Sequence, residues 1–260
     1  MPKYPDHLSI SQLGTLTKCP QQWYLTRIKK VPYGFNRALA IGKMVDAACN
    51  KNYYEYILTK KYLSLADVLD AAADEWHAAI DKHAIEDTDE EYTGVQDEAA
   101  EYIRLHYNEV QLKTIPKETQ FKITLTRGNL LPMIGYIDVI EEDNTITDTK
   151  TSKKKYADGA ATANRQLLTY WLGLEQMSQN GDIDFSPGKR RFDVVVKNKK
   201  PYTQQITCEC NPGKDRVVRF WCWVTALNKL LKSGLFPPCT AGWWCNKNWC
   251  DAYEHCGYHE

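Results

Sequence analysis

The sequence predicts an α/β protein: a mixed β-sheet flanked by helices, with a helical insertion. Apolar residues recur at helical spacing through the first 113 residues. Between 118 and 151 the pattern switches to alternation broken by short polar turns, and from there to about residue 233 helix and strand patterns take turns. A chain of 260 residues fits one large domain with an insertion better than several independent ones, so residues 1–260 are read as one domain.

The first helix opens at Ser9-Ile-Ser-Gln-Leu13, capped by Ser9 or Ser11, with Leu13, Leu16, Trp23 and Tyr24 as apolar positions and Cys19-Pro20 as an interruption. A second helix spans 38–58, with Leu39, Met44, Val45 and Ala48 on its apolar side. Two more, 64–83 and 90–113, are rich in Ala, Asp and Glu, and residues 50–113 read as the insertion. The alternation of ETQFKITLT makes 118–126 a strand, Arg127-Gly128-Asn129 a turn, 130–140 a second strand and 145–151 a third. A helix at 160–178 carries Leu167, Leu168, Trp171, Leu172 and Leu174. Strands follow at 191–196 and 204–210, then a long helix at 213–233. The tail from Phe236 is rich in Trp and Cys and has no period.

Composition is that of an ordinary globular protein, 43% hydrophobic and 25% charged. The opening MPKYPDHLSISQLG has no apolar signal core, and no segment has the roughly 18 consecutive apolar residues of a membrane span, so a cytoplasmic protein without a membrane partner is expected. The 33 basic residues are balanced by 33 acidic ones, which weighs against a wholly basic nucleic-acid binder. Two local basic runs stand out, Lys150 to Lys155 and Lys189 to Lys200, each a phosphate-facing or a solvated surface. Nine cysteines, four of them in the last 22 residues and Cys19 near the other terminus, suggest metal or an iron–sulfur cluster rather than disulfides.

The segment GYIDVIEEDNTITDTKT, 135–151, carries the chemistry. Asp138 lies inside a strand, an unfavourable place for a carboxylate. Period-2 alternation sets Asp148 and Lys150 on one face of the next strand, and the short turn brings Asp138 across from them. Paired carboxylates repel unless a cation holds them. Mg²⁺ suits such a site, with lysine beside it to stabilise phosphorane charge or orient the attacking water. The competing reading is a surface hairpin with charges on its outer face.

Several stretches, in order, resemble the PD-(D/E)XK nuclease superfamily, specifically its RecB-like branch: SISQLGTLTKCPQQWYL, ALAIGKMVD, Glu118 before a strand, GYIDVI, DTKT, RQLLTY and FPPCTAGWWCNKNWCDAYEHC. The resemblance implies a restriction-endonuclease-like core, with Asp138 and Asp148 as metal ligands for Mg²⁺ or Mn²⁺ and Lys150 as the catalytic lysine. It implies that Gln166 and Tyr170, one turn apart on a helix, contact DNA or shape the site, and that Glu118 supports it. Where the family often has a metal-binding His, four residues after Gly42, this chain has Asp46, read as an oxygen ligand in its place. Some relatives hold a [4Fe–4S] cluster with one N-terminal and three C-terminal cysteines. Cys19, Cys245, Cys250 and Cys256 match, although the C-x4-C spacing at Cys245 and Cys250 departs from the family's C-x2-C. Zn²⁺ is the alternative, and Cys239 is a substitute ligand. Either group would pack the 236–260 tail with the Cys19 region. Cys49, Cys208, Cys210 and Cys222 are read as packing residues.

The expectation is therefore a Mg²⁺- or Mn²⁺-dependent deoxyribonuclease, an exonuclease rather than an endonuclease. It would act on single-stranded DNA or duplex ends, in a cytoplasm that the branch's phage members extend to that of a host. The tail tryptophans and the 50–113 segment would border a strand channel. The rivals are an inactive DNA-binding module of the same fold and a zinc- or cluster-stapled interaction protein.

Overall fold

A computed structural model of the protein describes residues 5–32, 34–83, 85, 90–247 and 249–258. The first four residues of the opening and positions 248, 259 and 260 of the tail therefore lie outside the described residues. The order is β1 (Leu8–Ser9), α1 (Ile10–Lys18), α2 (Pro20–Trp23), α3 (Arg37–Thr59), α4 (Leu65–His83), α5 (Val95–Glu109), β2 (Pro116–Leu125), β3 (Met133–Glu141), β4 (Ile146–Ser152), α6 (Ala160–Ala163), α7 (Arg165–Asn180), β5 (Arg190–Val196), β6 (Tyr202–Cys208) and α8 (Lys214–Ser233). Among the described residues no helix is long and apolar enough to cross a membrane.

The chain groups into two compact units, each drawn from separated stretches of sequence. The first comprises Met1–Gly34, Thr124–Gly135 and Pro212–Glu260. Here Ser9 caps α1, its hydroxyl accepting from the Gln12 N–H at 3.2 Å. Cys19 ends that helix in extended conformation and starts the next: its Sγ accepts from Gln22 N, with Pro20 at the first helical position. Leu13, Leu16 and Trp23 are fully buried, and Trp23 and Tyr24 stack on Phe236. The two-residue strand β1, too short to leave a pattern in sequence, pairs in parallel with Met133 and Ile134.

The second unit, Phe35–Ile123 and Tyr136–Asn211, holds the rest of the sheet. Strand order is β3-β4-β5-β6, antiparallel, parallel, antiparallel, with β2 also paired to β3. The parallel β4–β5 pair requires a crossover, which α6 and α7 supply. Gly173 lets α7 approach β2, since a Cβ there would meet Ile123 Cδ1 at 2.7 Å. Helices α3, α4 and α5 bury Met44, Val45, Ala48, Trp76, Ala99 and Ile103 in one cluster that includes Val139 and Val195 of the sheet.

Four expectations change. The helix at 160–178 is broken at Asn164, whose side chain accepts from Leu167 N and restarts it. The helix at 90–113 is shorter, because Gly94 turns with φ 68° and α5 begins only after it. In the basic run at 189–191 only Lys189 is exposed: Arg190 is 1% exposed and donates to the Glu209 carbonyl, while Arg191 is clamped by Glu141 at 2.6 Å and Asp193 at 2.9 Å. Two cysteines read as packing residues, Cys210 and Cys222, are exposed, whereas Cys49 and Cys208 are buried.

Candidate active site

The hairpin of β3 and β4 supplies three of the expected residues. Val139 pairs with Thr147 and Ile140 with Ile146, and continuing that register sets Asp138 opposite Asp148. Beyond the recorded ladder the Asp138 carboxylate accepts the Thr149 backbone N–H through Oδ2 at 2.9 Å. Lys150 projects beside Asp148, its Nζ 2.6 Å from Oδ2. Asp148 is fully buried, and neither of its oxygens accepts an aligned hydrogen bond among the described residues, so the ammonium contact is its compensation. Burial drives Asp138 well above the ordinary carboxylate range, and the neighbouring Asp148 and Asp46 charges add to it. Burial raises Asp148 too, against the pull of Lys150. For Lys150 burial favours the neutral amine, but Asp148 and Asp138 outweigh it and hold the ammonium more firmly than in water.

Helix α3 brings the fourth. Asp46 lies in the same cleft of about 330 Å³ as Asp138, Asp148, Lys150 and Gln166. Burial raises its carboxyl, opposed by a hydrogen bond from Asn50 one turn on and by Lys150. Asn50 is itself held, its Oδ1 accepting from Gln120 Nε2 at 3.0 Å and Thr119 Oγ1 at 3.3 Å; Thr119 also donates to the Asp138 carbonyl at 2.8 Å. Leu39, expected on the apolar face of this helix, is 40% exposed and lines the cleft instead.

Helix α7 contributes Gln166, whose Nε2 donates to the Tyr170 hydroxyl at 2.7 Å. Tyr170 is buried, and burial first and the Asp148 charge next push its phenol far up, so it stays a neutral hydrogen-bonding group. Glu118 does not line the cleft; its neighbour Thr119 instead supports residues that do, through Asn50 and the Asp138 carbonyl. Sequence reasoning missed Asn50, Thr119, Gln120 and Tyr156, which shares electrostatic contact with Lys150 and Asp148. The i, i+4 spacing of Asp46 and Asn50 was the one available sign of them.

The donors at this cleft are hard oxygens, and Oδ1 of the buried Asp148 has no hydrogen-bond partner among the described residues, a combination that fits Mg²⁺ or Mn²⁺. Among the described residues no three His, Cys, Asp or Glu side chains form a ready-made metal cage. Lys150 provides the positive charge against Asp148 in this structure. In the first unit Cys19, Cys239, Cys245, Cys250 and Cys256 line one small pocket. Cys239 N donates to Cys19 Sγ at 3.4 Å across 220 positions of sequence. Burial, and after it the neighbouring thiols, raises Cys245; burial also raises Cys250, against a backbone hydrogen bond from Ala252. All five are free thiols, a soft donor set that fits an iron–sulfur cluster or Zn²⁺.

A solved structure from Eubacterium rectale named "Putative exonuclease" superposes with a TM-score of 0.59 at 14% identity, covering 96% of this chain and 88% of that one. That likeness is one of fold. A second solved structure, SSO0001, is 13% identical over 96% of each chain, but its TM-score of 0.31 carries no argument. No curated protein matches the chain. The sequence pattern of the PD-(D/E)XK nuclease superfamily matches residues 7–258, nearly the whole chain and every residue of the cleft. The chain belongs to the PD-(D/E)XK nuclease superfamily.

Proposed function

We propose that this protein is a divalent-metal-dependent deoxyribonuclease, an exonuclease that hydrolyses phosphodiester bonds of DNA. The observation that carries the reading is the cleft itself: Asp46, Asp138 and Asp148 around one space, with the Lys150 ammonium 2.6 Å from Asp148. The three carboxylates would hold Mg²⁺ or Mn²⁺. When bound, such an ion neutralises them, polarises a phosphoryl oxygen and acidifies a coordinated water. The chain's own groups do the rest. Lys150, fixed by Asp148, offers its ammonium to the negative charge on the phosphate oxygens as water attacks phosphorus and the P–O bond to the sugar breaks. Asp138, fixed by the Thr149 N–H, and Asp46, fixed by Asn50, keep their carboxylates aimed into the cleft. Gln166, anchored on the neutral Tyr170, lines the same space with an amide able to meet a substrate oxygen. The exonuclease mode is favoured by the fold shared with the Eubacterium rectale protein named as one.

In the same reading Cys19, Cys245, Cys250 and Cys256 hold a [4Fe–4S] cluster, with Zn²⁺ as the alternative occupant and Cys239 as a spare thiolate. Its role is to staple, not to catalyse.

End-labelled DNA incubated with Mg²⁺, Mn²⁺ or chelator is the test. Cleavage from an end, present only with metal and lost in Asp148→Asn, is expected. DNA left whole by the metal-loaded protein, or cut equally by the variant, overturns the assignment.

A further inference from the structure

The neutral total conceals a separation of charge. The first unit, Met1–Gly34, Thr124–Gly135 and Pro212–Glu260, carries 12 Lys and Arg against 5 Asp and Glu, a net +7. It also holds six of the eight tryptophans. Within it α8 has two worked faces. Phe220, Val224, Leu227 and Leu231 are buried, as an amphipathic helix requires. A second stripe, Val218, Trp221, Cys222, Ala226 and Lys229, recurs at the same helical spacing and faces outward, with Val218 51% exposed. Arg127, from the turn before β3, closes this stripe into a groove of about 390 Å³. Its guanidinium carbon lies 4.8 Å from the Trp221 ring centroid. A guanidinium stacked on an aromatic face keeps its N–H fork free and pre-aimed, the arrangement suited to phosphate. Among the described residues both charged groups lining the groove, Arg127 and Lys229, are cations, and no carboxylate lines it.

We propose that this groove is a binding site for single-stranded nucleic acid, separate from the catalytic carboxylates. Arg127 takes a phosphate. The apolar floor of Trp221, Val218 and Cys222 takes the face of a base or sugar, and Lys229, about 12 Å further along the helix, takes a later phosphate. A duplex hides its base faces and has no use for that floor. A protein partner matched to this stripe would need acidic side chains at both ends. The inference rests on the reading of the chain as a nuclease, since that reading makes a strand the ligand.

Fluorescein-labelled oligothymidylate of about 20 nucleotides, titrated with the full chain without added divalent metal, tests it. Arg127→Ala and Ala226→Glu should each weaken strand binding about 10-fold, and Trp221→Leu by a similar factor. Arg127→Ala should also flatten the slope of log affinity against log salt by about 0.7. The oligonucleotide should slow alkylation of the exposed Cys222. Ala226 is exposed and its replacement by Glu keeps a good helix former, so a circular-dichroism melt like the wild type's separates lost binding from lost fold. Wild-type strand affinity in all three variants overturns the proposal, as does lost self-association or lost capture of a protein with strand binding intact. Hydrolysis of bis(4-nitrophenyl) phosphate, which offers no strand for the groove to hold, should be unchanged in Arg127→Ala. No hydrolysis by the wild type would count against the nuclease reading alone, because strand binding is scored independently.

Discussion

At the residue scale the cleft is a set of carboxylates held against their own preference. Asp138 is pushed up by burial and by the Asp148 and Asp46 charges, Asp148 is pushed up by burial, and Lys150 offsets part of both shifts. Two consequences separate its members. Asp138→Asn removes one charge while its side-chain oxygen still accepts the Thr149 N–H, so the metal-free protein should become more stable, by about 0.5–2 kcal/mol, as cleavage disappears. A lower melting temperature for that variant without metal would refute the account of mutual repulsion. Lys150→Met should act in the other sense. With the ammonium gone from beside Asp148, Mn²⁺ should bind more tightly by calorimetry, while cleavage falls about 10²- to 10³-fold. Weaker Mn²⁺ binding would mean that Lys150 organises the carboxylates rather than competing with a cation for them.

At the element scale, periodicity made the helices at 38–58, 64–83 and 213–233 and the strand hairpin at 130–151 legible to within a few residues. Alternation also placed Asp148 and Lys150 on one face before any coordinates. The pattern could not show what depends on contacts distant in sequence. Arg190 and Arg191 read as a basic surface, because two of the groups that hold them inside, Glu141 and Glu209, lie on other segments, while Asp193 sits two residues on in the same strand. The Asn50–Thr119–Gln120 support of Asp46 joins α3 to β2 across some 70 positions and leaves no local trace. The packing of α3 on α5 hides a similar network. His106 Nδ1 lies 3.3 Å from Cys49 Sγ and 3.2 Å from Gln111 Nε2, and Asn52 donates to Gln111 at 2.7 Å, all fully buried. Burial lowers His106 from 6.5 to about 4, so the unfolded chain binds the proton more readily than the folded one. Stability from this group is complete above pH 6.5 and is lost as pH falls towards 4, in total about 3 kcal/mol. Urea titrations across that window should show a shallower pH slope for His106→Met than for the wild type. Parallel slopes would exclude His106 as an acid-sensitive link between these helices.

At the scale of the whole molecule, a balanced composition argued against nucleic acid only because it averaged over two units of opposite charge, one of them assembled from the chain's ends and a central loop. A unit built from termini so far apart in sequence carries a large entropic cost of closure, and the cysteine pocket is where that cost can be offset. Cys19 and Cys239 already touch across 220 positions, and Cys245, Cys250 and Cys256 line the same pocket. A cluster or Zn²⁺ bridging them would constrain the unfolded chain as a cross-link does. The loop-entropy relation gives about 5 kcal/mol for a loop of this length, growing only logarithmically with size. For a chain of this size that corresponds to about 10 °C in melting temperature or somewhat more. Cys19→Ser isolates the effect, because serine can still cap α2 as the thiol does, while losing the thiolate a metal needs. The variant purified anaerobically should lose the bound iron or zinc and melt lower by that amount, with absorption near 400 nm marking iron–sulfur thiolate in the wild type. Full metal content with an unchanged melt in Cys19→Ser would remove Cys19 from the ligand set. A wild-type protein that binds neither metal would leave the joining of its two ends to non-covalent contacts such as the stack of Trp23 and Tyr24 on Phe236 and the Trp223–Thr17 hydrogen bond.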